Sequence, residues 1–476
     1  MSQLRNKLWK TMLAASALAV TPAFAANDAM LELLKVLKEK GTLDDATYES
    51  LVNAAKADDE HVTFANDEIK RMQKETPKID TKGKLEITSP DKDFKWRIGG
   101  RLHVDTTIPD NDSNSRRLTN FEDKADVRRM RLDLTATVWK AWQFKVQYDF
   151  ADSGANINLG LRDAWIKYLI DGQKVKGAAT VGHFKEYIGL DELTSSNDIS
   201  FVERSLMSGA FNATNGRRIG VGANLAWYDM VTTSLGAFGR SIGNANDDAI
   251  KLTGRLTFSP VHTKVRTVHL GAAGSYVTDI DNNTFTTNPR PEFDVAGGTR
   301  LFNGFTVANA DDAWRFGGEG AVIWGPWSLQ GEYQRTELSR TGTGATATDL
   351  SFDGWYVFGS WILTGESRGY KFEDGVFQNP KPSGVVGKGG IGAWELLARY
   401  SNLDLFDSDL AACALPAVTN AGNFCGEEEN ITVGLNWYPT ENLKFMANWI
   451  QVLDVEGGRF EGVEPSAFAL RAQAYF

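Results

Sequence analysis

A chain of 476 residues with 61 acidic and 51 basic side chains carries a formal charge of −10, which makes nucleic acid a poor partner. Mean hydropathy is −0.31, and no stretch after the first 25 residues reaches the roughly 18–20 uninterrupted apolar residues of a spanning helix, so a helical membrane protein is excluded. Five histidines, His61, His103, His183, His262 and His269, are scattered without metal-ligand spacing, and no cofactor motif appears.

Residues 1–25 join a basic start (Arg5, Lys7, Lys10) to the apolar core "MLAASALAV" and to Ala23-Phe24-Ala25, the small residues of a cleavage site. This is a secretory signal, too short for a membrane helix. Its removal takes away three cations and no acid, moving the charge from −10 to −13. Residues 26–75 differ from all that follows. Met30, Leu33, Leu34 and Leu37 have helical spacing, Gly41 stops that helix, and Thr42 or Asp44 caps a second one carrying Tyr48, Leu51 and Val52. Too small for a core of its own, this coiled-coil-like arm is expected to pack against copies of itself or another envelope partner; the alternative is a solvated spacer. Residues 76–93 read as a linker.

From residue 94 to Phe476 the period is two. In "DFKWRIGGRLHVD", Phe94, Trp96, Ile98, Leu102 and Val104 alternate with Lys95, Arg97, Arg101, His103 and Asp105. The stretches "VRRMRLDLTATVW" and "WQFKVQYDF" and the final strand repeat the pattern. About sixteen segments qualify: 94–106, 126–138, 142–151, 158–170, 176–184, 216–227, 231–241, 249–259, 267–280, 313–324, 327–338, 351–363, 391–402, 429–438, 442–454 and 466–476. Such alternation predicts an all-β fold, a transmembrane antiparallel barrel of sixteen strands, with both ends on the periplasmic side. Long connections (107–125, 185–215, 281–312, 403–428) alternate with tight turns, except that 364–390 is long on the short side. Trp324 and Trp327 flank a Gly-Pro turn and are expected in the aromatic girdle at the membrane interface, with Trp142, Trp227 and Trp437. A soluble sandwich would need a second apolar layer, and the sequence offers none. Cys413 and Cys425 share one loop of an exported chain, where oxidation is the normal outcome; two free thiols are the alternative.

Several stretches together resemble the phosphate- and polyphosphate-selective porins of Gram-negative outer membranes, porins O and P: "IGGRLHVD" at 98–105, "RRMRLDL" at 128–134, "VQYDF" at 146–150, "GHFKEYIGLDELTSSNDISFVERS" at 182–205, "IGAWELLARYS" at 391–401 and "ITVGLNWYP" at 431–439. The resemblance implies a homotrimer in outer-membrane lipid, assembled by machinery that reads the terminal Phe476, with loop 185–215 folded inward to narrow the pore. It also implies a phosphate path. Arg101 matches an inward arginine of the first strand, Arg128 and Arg129 the paired arginines of the second, Arg204 the arginine of the inward loop, and Ser195 and Ser196 constriction hydroxyls. Gln143 and Glu192 stand where the family's lysines are expected, with Lys145 and Lys185 as compensating cations.

Parity places Arg97, Arg101, Arg129, Arg131 and Lys145 on the inward face, while Arg128 has the opposite parity and needs a bulge or a strand end to reach the pore. A basic wall favours anions, and guanidinium groups suit phosphate. Against this, Asp105, Asp133, Asp149 and Asp163 offer counter-charges, as in a weakly selective general porin. A barrel enzyme would need a base beside an activated serine, and a structural tether would rest on 26–75 alone.

Overall fold

The computed structural model describes residues 24–476 apart from 82, 152–159, 213–215, 241–248, 281–282, 303–304, 343–347, 410–424 and 458–459. The expected signal sequence, but for its last two residues, and Cys413 lie outside the described residues; Cys425 is buried and disulfide-bonded.

The chain divides into two units, one up to Lys78 and one from Ile79. In the first, helix α1 (Phe24–Glu39) ends at Gly41, whose φ of 69° suits a residue without a Cβ. Asp44 then caps α2 (Asp45–Glu75) by accepting from the Thr47 N–H at 2.7 Å. Leu34 and Ala55 are the buried positions of this helical pair, and Lys38 bridges to Asp45 at 3.0 Å.

In the second unit the alternating segments become sixteen strands: β1 (Phe94–Asp110), β2 (Lys124–Val138), β3 (Trp142–Asp149), β4 (Leu161–Asp171), β5 (Val175–Lys185), β6 (Arg217–Trp227), β7 (Val231–Phe238), β8 (Ile250–His262), β9 (Arg266–Thr278), β10 (Ala310–Trp324), β11 (Trp327–Arg340), β12 (Leu350–Ile362), β13 (Ala393–Asp404), β14 (Glu427–Thr440), β15 (Leu443–Glu456) and β16 (Ser466–Tyr475). Each pairs antiparallel with its sequence neighbour, and β16 closes on β1 from Ser466↔Asp110 to Tyr475↔Arg101. Closure removes the open edges that lipid cannot tolerate. The stretch 76–93, read above as a linker, holds two short strands. Of these, Leu85–Thr88 pairs with β1 at Leu85↔Ile98, extending the seam where β16 runs out. The Phe476 backbone pairs with Gly100, and its ring fills the space a Cβ at Gly100 would need.

Outward side chains are apolar, as the period requires. At the short-turn end Trp324 and Trp327 face each other across Gly325-Pro326, with Gly325 at the positive φ of a tight hairpin turn. Trp327 stacks on Trp361 at 4.7 Å, Trp142 meets Tyr168 at 5.1 Å, and Trp394 lies 5.4 Å from Trp437. These rings form a girdle.

Three connections fold inward. Residues 186–212 cross the lumen: Ser200 O accepts from Asn436, Ile199 O from Lys444 and Asn197 O from Gln473, at 2.7–2.9 Å. Residues 283–302 enter at the long-loop end, where Phe293 and Phe302 share one apolar cluster with Leu206, Met207 and Phe352 of the wall. This apolar cluster fills the lumen on the β10–β16 side. The third, 363–392, enters from the short-turn end. Its hairpin (Gly369–Lys371 with Val376–Gln378) is held by Arg255, which donates to Asp374 O at 2.9 Å and Gly375 O at 2.7 Å. The unusual length at 364–390 is therefore an inserted element, and the flanking strands keep their expected places.

Candidate functional site

With half of the barrel filled, open space remains beside β1–β8. A cavity of about 340 Å³ lies there, and nine basic side chains line it against the carboxylates of Asp163, Glu192 and Asp374. It meets a wider cavity of about 1100 Å³ at the short-turn end, and Arg101 and Ser195 line both.

Strand parity delivers Arg101 from β1, Arg129 and Arg131 from β2, and Lys145 from β3, while Lys185 ends β5. The inward loop adds Glu192, Ser195, Ser196 and Arg204. Helix α3 (Leu190–Leu193) sets this stretch: the Glu332 carboxylate of β11 accepts from the Leu190 and Asp191 N–H groups at 2.5 and 2.7 Å. Arg204 donates to the carbonyls of Asp191 and Thr194 at 2.8 and 2.9 Å, bracing the other end.

Nine of the ten residues expected from sequence thus line one cavity. Arg128 is the exception. The β1–β2 register slips between His103↔Arg129 and Val104↔Val127, so Arg128 is the extra residue of a bulge and turns inward to Glu203 at 2.7 Å. Gln143 donates to Thr137 at 3.2 Å and does not line the cavity.

The counter-charges settle on particular partners. Asp105 takes Arg471 in a two-point contact at 2.6 and 2.7 Å, Asp149 takes Arg131 at 2.6 Å, and Asp163 bridges Arg217 at 2.8 Å and Lys145 at 3.0 Å. Among the described residues, none lies within ion-pair reach of Arg101 or Arg129. Arg101 donates to Ser196 Oγ at 2.7 Å, and Arg129 lies 3.5 Å from His103 Nδ1. Glu192, which stands where a lysine is expected, is held between Lys185 at 3.0 Å and Arg204 at 3.2 Å. Burial alone would raise its pKa, but those two cations outweigh it and hold the carboxyl at about 2. A lysine at 192 would thus meet two buried cations, so glutamine is the informative replacement. Glu192→Gln is expected to lower the phosphate concentration that half-blocks chloride current, by about threefold for one screened charge; an unchanged half-block would show that its charge is already cancelled.

Arg217, Lys167 and Arg255 also line the cavity and were not singled out from sequence. The signal was present: Asp163, Trp165 and Lys167 share one parity in "RDAWIKY", and Lys251, Thr253 and Arg255 share one in "KLTGRLT".

A family model described as phosphate-selective porin O and P matches residues 97–476. The chain belongs to this porin family. Porin O of Pseudomonas aeruginosa is 29% identical over 396 residues, covering 78% of this chain and 86% of that protein. An uncharacterized protein of Caulobacter vibrioides is 28% identical over 402 residues, covering 80% and 72% respectively. Among solved structures, an anion-selective porin from Comamonas acidovorans aligns with a TM-score of 0.49 at 12% identity, covering 80% of this chain and 100% of that one. As a member of the porin O and P family, the chain is an outer-membrane porin.

Proposed function

We propose that this porin is a passive channel with anion preference that conducts phosphate, and that Arg101, Arg129 and Arg204, with the Ser195–Ser196 hydroxyls, form its selective passage. The observation that carries this reading is the pair of guanidinium groups, Arg101 and Arg129, which have no carboxylate partner among the described residues, in a cavity lined by nine cations and three acids. A narrow channel with low-dielectric walls concentrates the field of such fixed charges on a passing ion. Planar donors offer phosphate charge-assisted bonds. The weakly selective alternative is disfavoured because each lining carboxylate already grips a basic partner: Asp163 holds Arg217 and Lys145, Glu192 holds Lys185 and Arg204, and Asp374 holds Lys371.

The same reading includes a homotrimer in outer-membrane lipid, assembly through the terminal Phe476, the helical arm in the periplasm, a closed Cys413–Cys425 bridge and no enzymatic activity. Arg128 and Arg131 serve it indirectly, held by Glu203 and Asp149. The test is the reversal potential of the purified channel in a potassium chloride gradient, followed by titration of phosphate against chloride current. Chloride preference and a saturable phosphate block are expected. Potassium preference would overturn the reading.

A further inference from the structure

The constriction is more than a ring of charge. Trp165, on the inward face of β4, and Tyr187, just beyond β5, are partly exposed to the cavity, and the buried Phe184 lines it beside them. An indole facing a polar lumen is an unfavourable place for apolar surface unless something covers it. The backbone is arranged to hold it there. Trp165 lies directly across from Gly182 of β5, whose φ is 129° and whose missing Cβ would stand 2.7 Å from the Trp165 Cα. Tyr187 lies in the same way over Gly222, where an added Cβ would meet the ring at 2.8 Å.

The neighbouring charge is equally specific. Lys167 places its ammonium 4.4 Å from the centre of the Trp165 ring and, among the described residues, has no carboxylate within ion-pair reach. The indole N–H also has no protein acceptor among the described residues. A cation resting on a ring is a weak contact that an ion pair readily replaces. An anion with a flat apolar group would draw Lys167 onto its carboxylate and lay its own ring on the indole. The cavity of about 340 Å³ has room for a single ring.

We propose that the constriction favours single-ring aromatic carboxylates over compact carboxylates of equal charge, with Trp165 and Lys167 as the residues that set this preference. The proposal rests on the reading of the channel as anion-preferring. It is tested by the concentrations of sodium benzoate and sodium acetate that half-block chloride current in planar bilayers at pH 7. The wild-type channel is expected to be blocked by benzoate at about tenfold lower concentration than acetate, as stacking on an exposed aromatic side chain supplies. Trp165→Leu, which keeps apolar bulk and loses the flat ring, should bring the two within about twofold, and Lys167→Met should narrow the gap as well. Trp324→Ala in the outer girdle should leave the gap open. A wild-type channel blocked equally by both anions overturns the proposal, as does a gap that survives both Trp165→Leu and Lys167→Met. If the wild type prefers chloride but does not distinguish benzoate from acetate, this proposal alone falls; potassium preference removes the anion reading beneath it.

Discussion

Replacing Arg101 with glutamate is expected to invert the ion preference of the channel. Arg101 borders both cavities, and its guanidinium has no carboxylate partner among the described residues, so its field acts on the passing ion. The substitution changes the local charge by two units. Even at the dielectric constant of bulk water, a unit charge ~4 Å away contributes about 1 kcal/mol, so an anion at the passage loses about 2 kcal/mol and a cation gains the same before screening. Each 1.4 kcal/mol is a factor of ten, so the two effects together, about 4 kcal/mol, should lower the ratio of chloride to potassium permeability on the order of a thousandfold before screening, and less as salt is raised. The measurement is the sign of the reversal potential in a tenfold potassium chloride gradient. Arg131→Glu serves as the comparison: Asp149 already compensates that arginine at 2.6 Å, and its replacement should disturb folding more than selectivity. If Arg101→Glu keeps the wild-type sign, selectivity lies elsewhere in the lumen.

The strands and their inward faces were legible because alternation of period two is local: each segment states its own parity, and a barrel needs no other information to divide lipid from lumen. Hence Arg101, Arg129, Arg131 and Lys145 could be placed together from sequence. The bulge at Arg128 was foreseeable as a conflict of parity but not as a partner, since Glu203 comes from a loop with no period. The partners of Glu192 were hidden for a similar reason. Its sign was visible, but its two cations lie on β5 and twelve residues further along the loop, so their neutralising contact exists only in three dimensions. Least legible were the two further insertions. Phe293 and Phe302 look like ordinary loop aromatics until the barrel gives them a wall to pack on, and the 369–378 hairpin announced itself only as excess length.

The second large effect comes from that unforeseen packing. Glu292, in the 279–309 connection, is fully enclosed and holds four groups: Arg399 Nη2 of β13 at 2.6 Å, Ser401 Oγ at 2.5 Å, Thr432 Oγ1 of β14 at 2.7 Å and the Leu206 N–H at 3.3 Å. Leu206 opens α4 (Leu206–Phe211) of the lumen-crossing loop, so one carboxylate joins two inserted loops to the wall. Removing one partner of a buried pair costs about 3–5 kcal/mol, because the charge left behind stays desolvated and uncompensated. Arg399, with its guanidinium 4.2 Å from the Phe201 ring, has no other described carboxylate to take. Glu292→Ala should therefore release the 279–309 connection from the β13–β14 wall while the strand ladder, whose hydrogen bonds do not involve it, stays closed. Single-channel conductance should rise, the connection should become sensitive to trypsin at Arg290 and Arg300, and the barrel should still resist denaturant in the cold. Glu292→Gln, which keeps the acceptor but loses the charge, should fall between the two. If Glu292→Ala leaves both conductance and protease resistance unchanged, the apolar cluster of Phe293, Phe302 and Phe352 holds the loop by itself, and the buried ion pair contributes specificity of seating rather than stability.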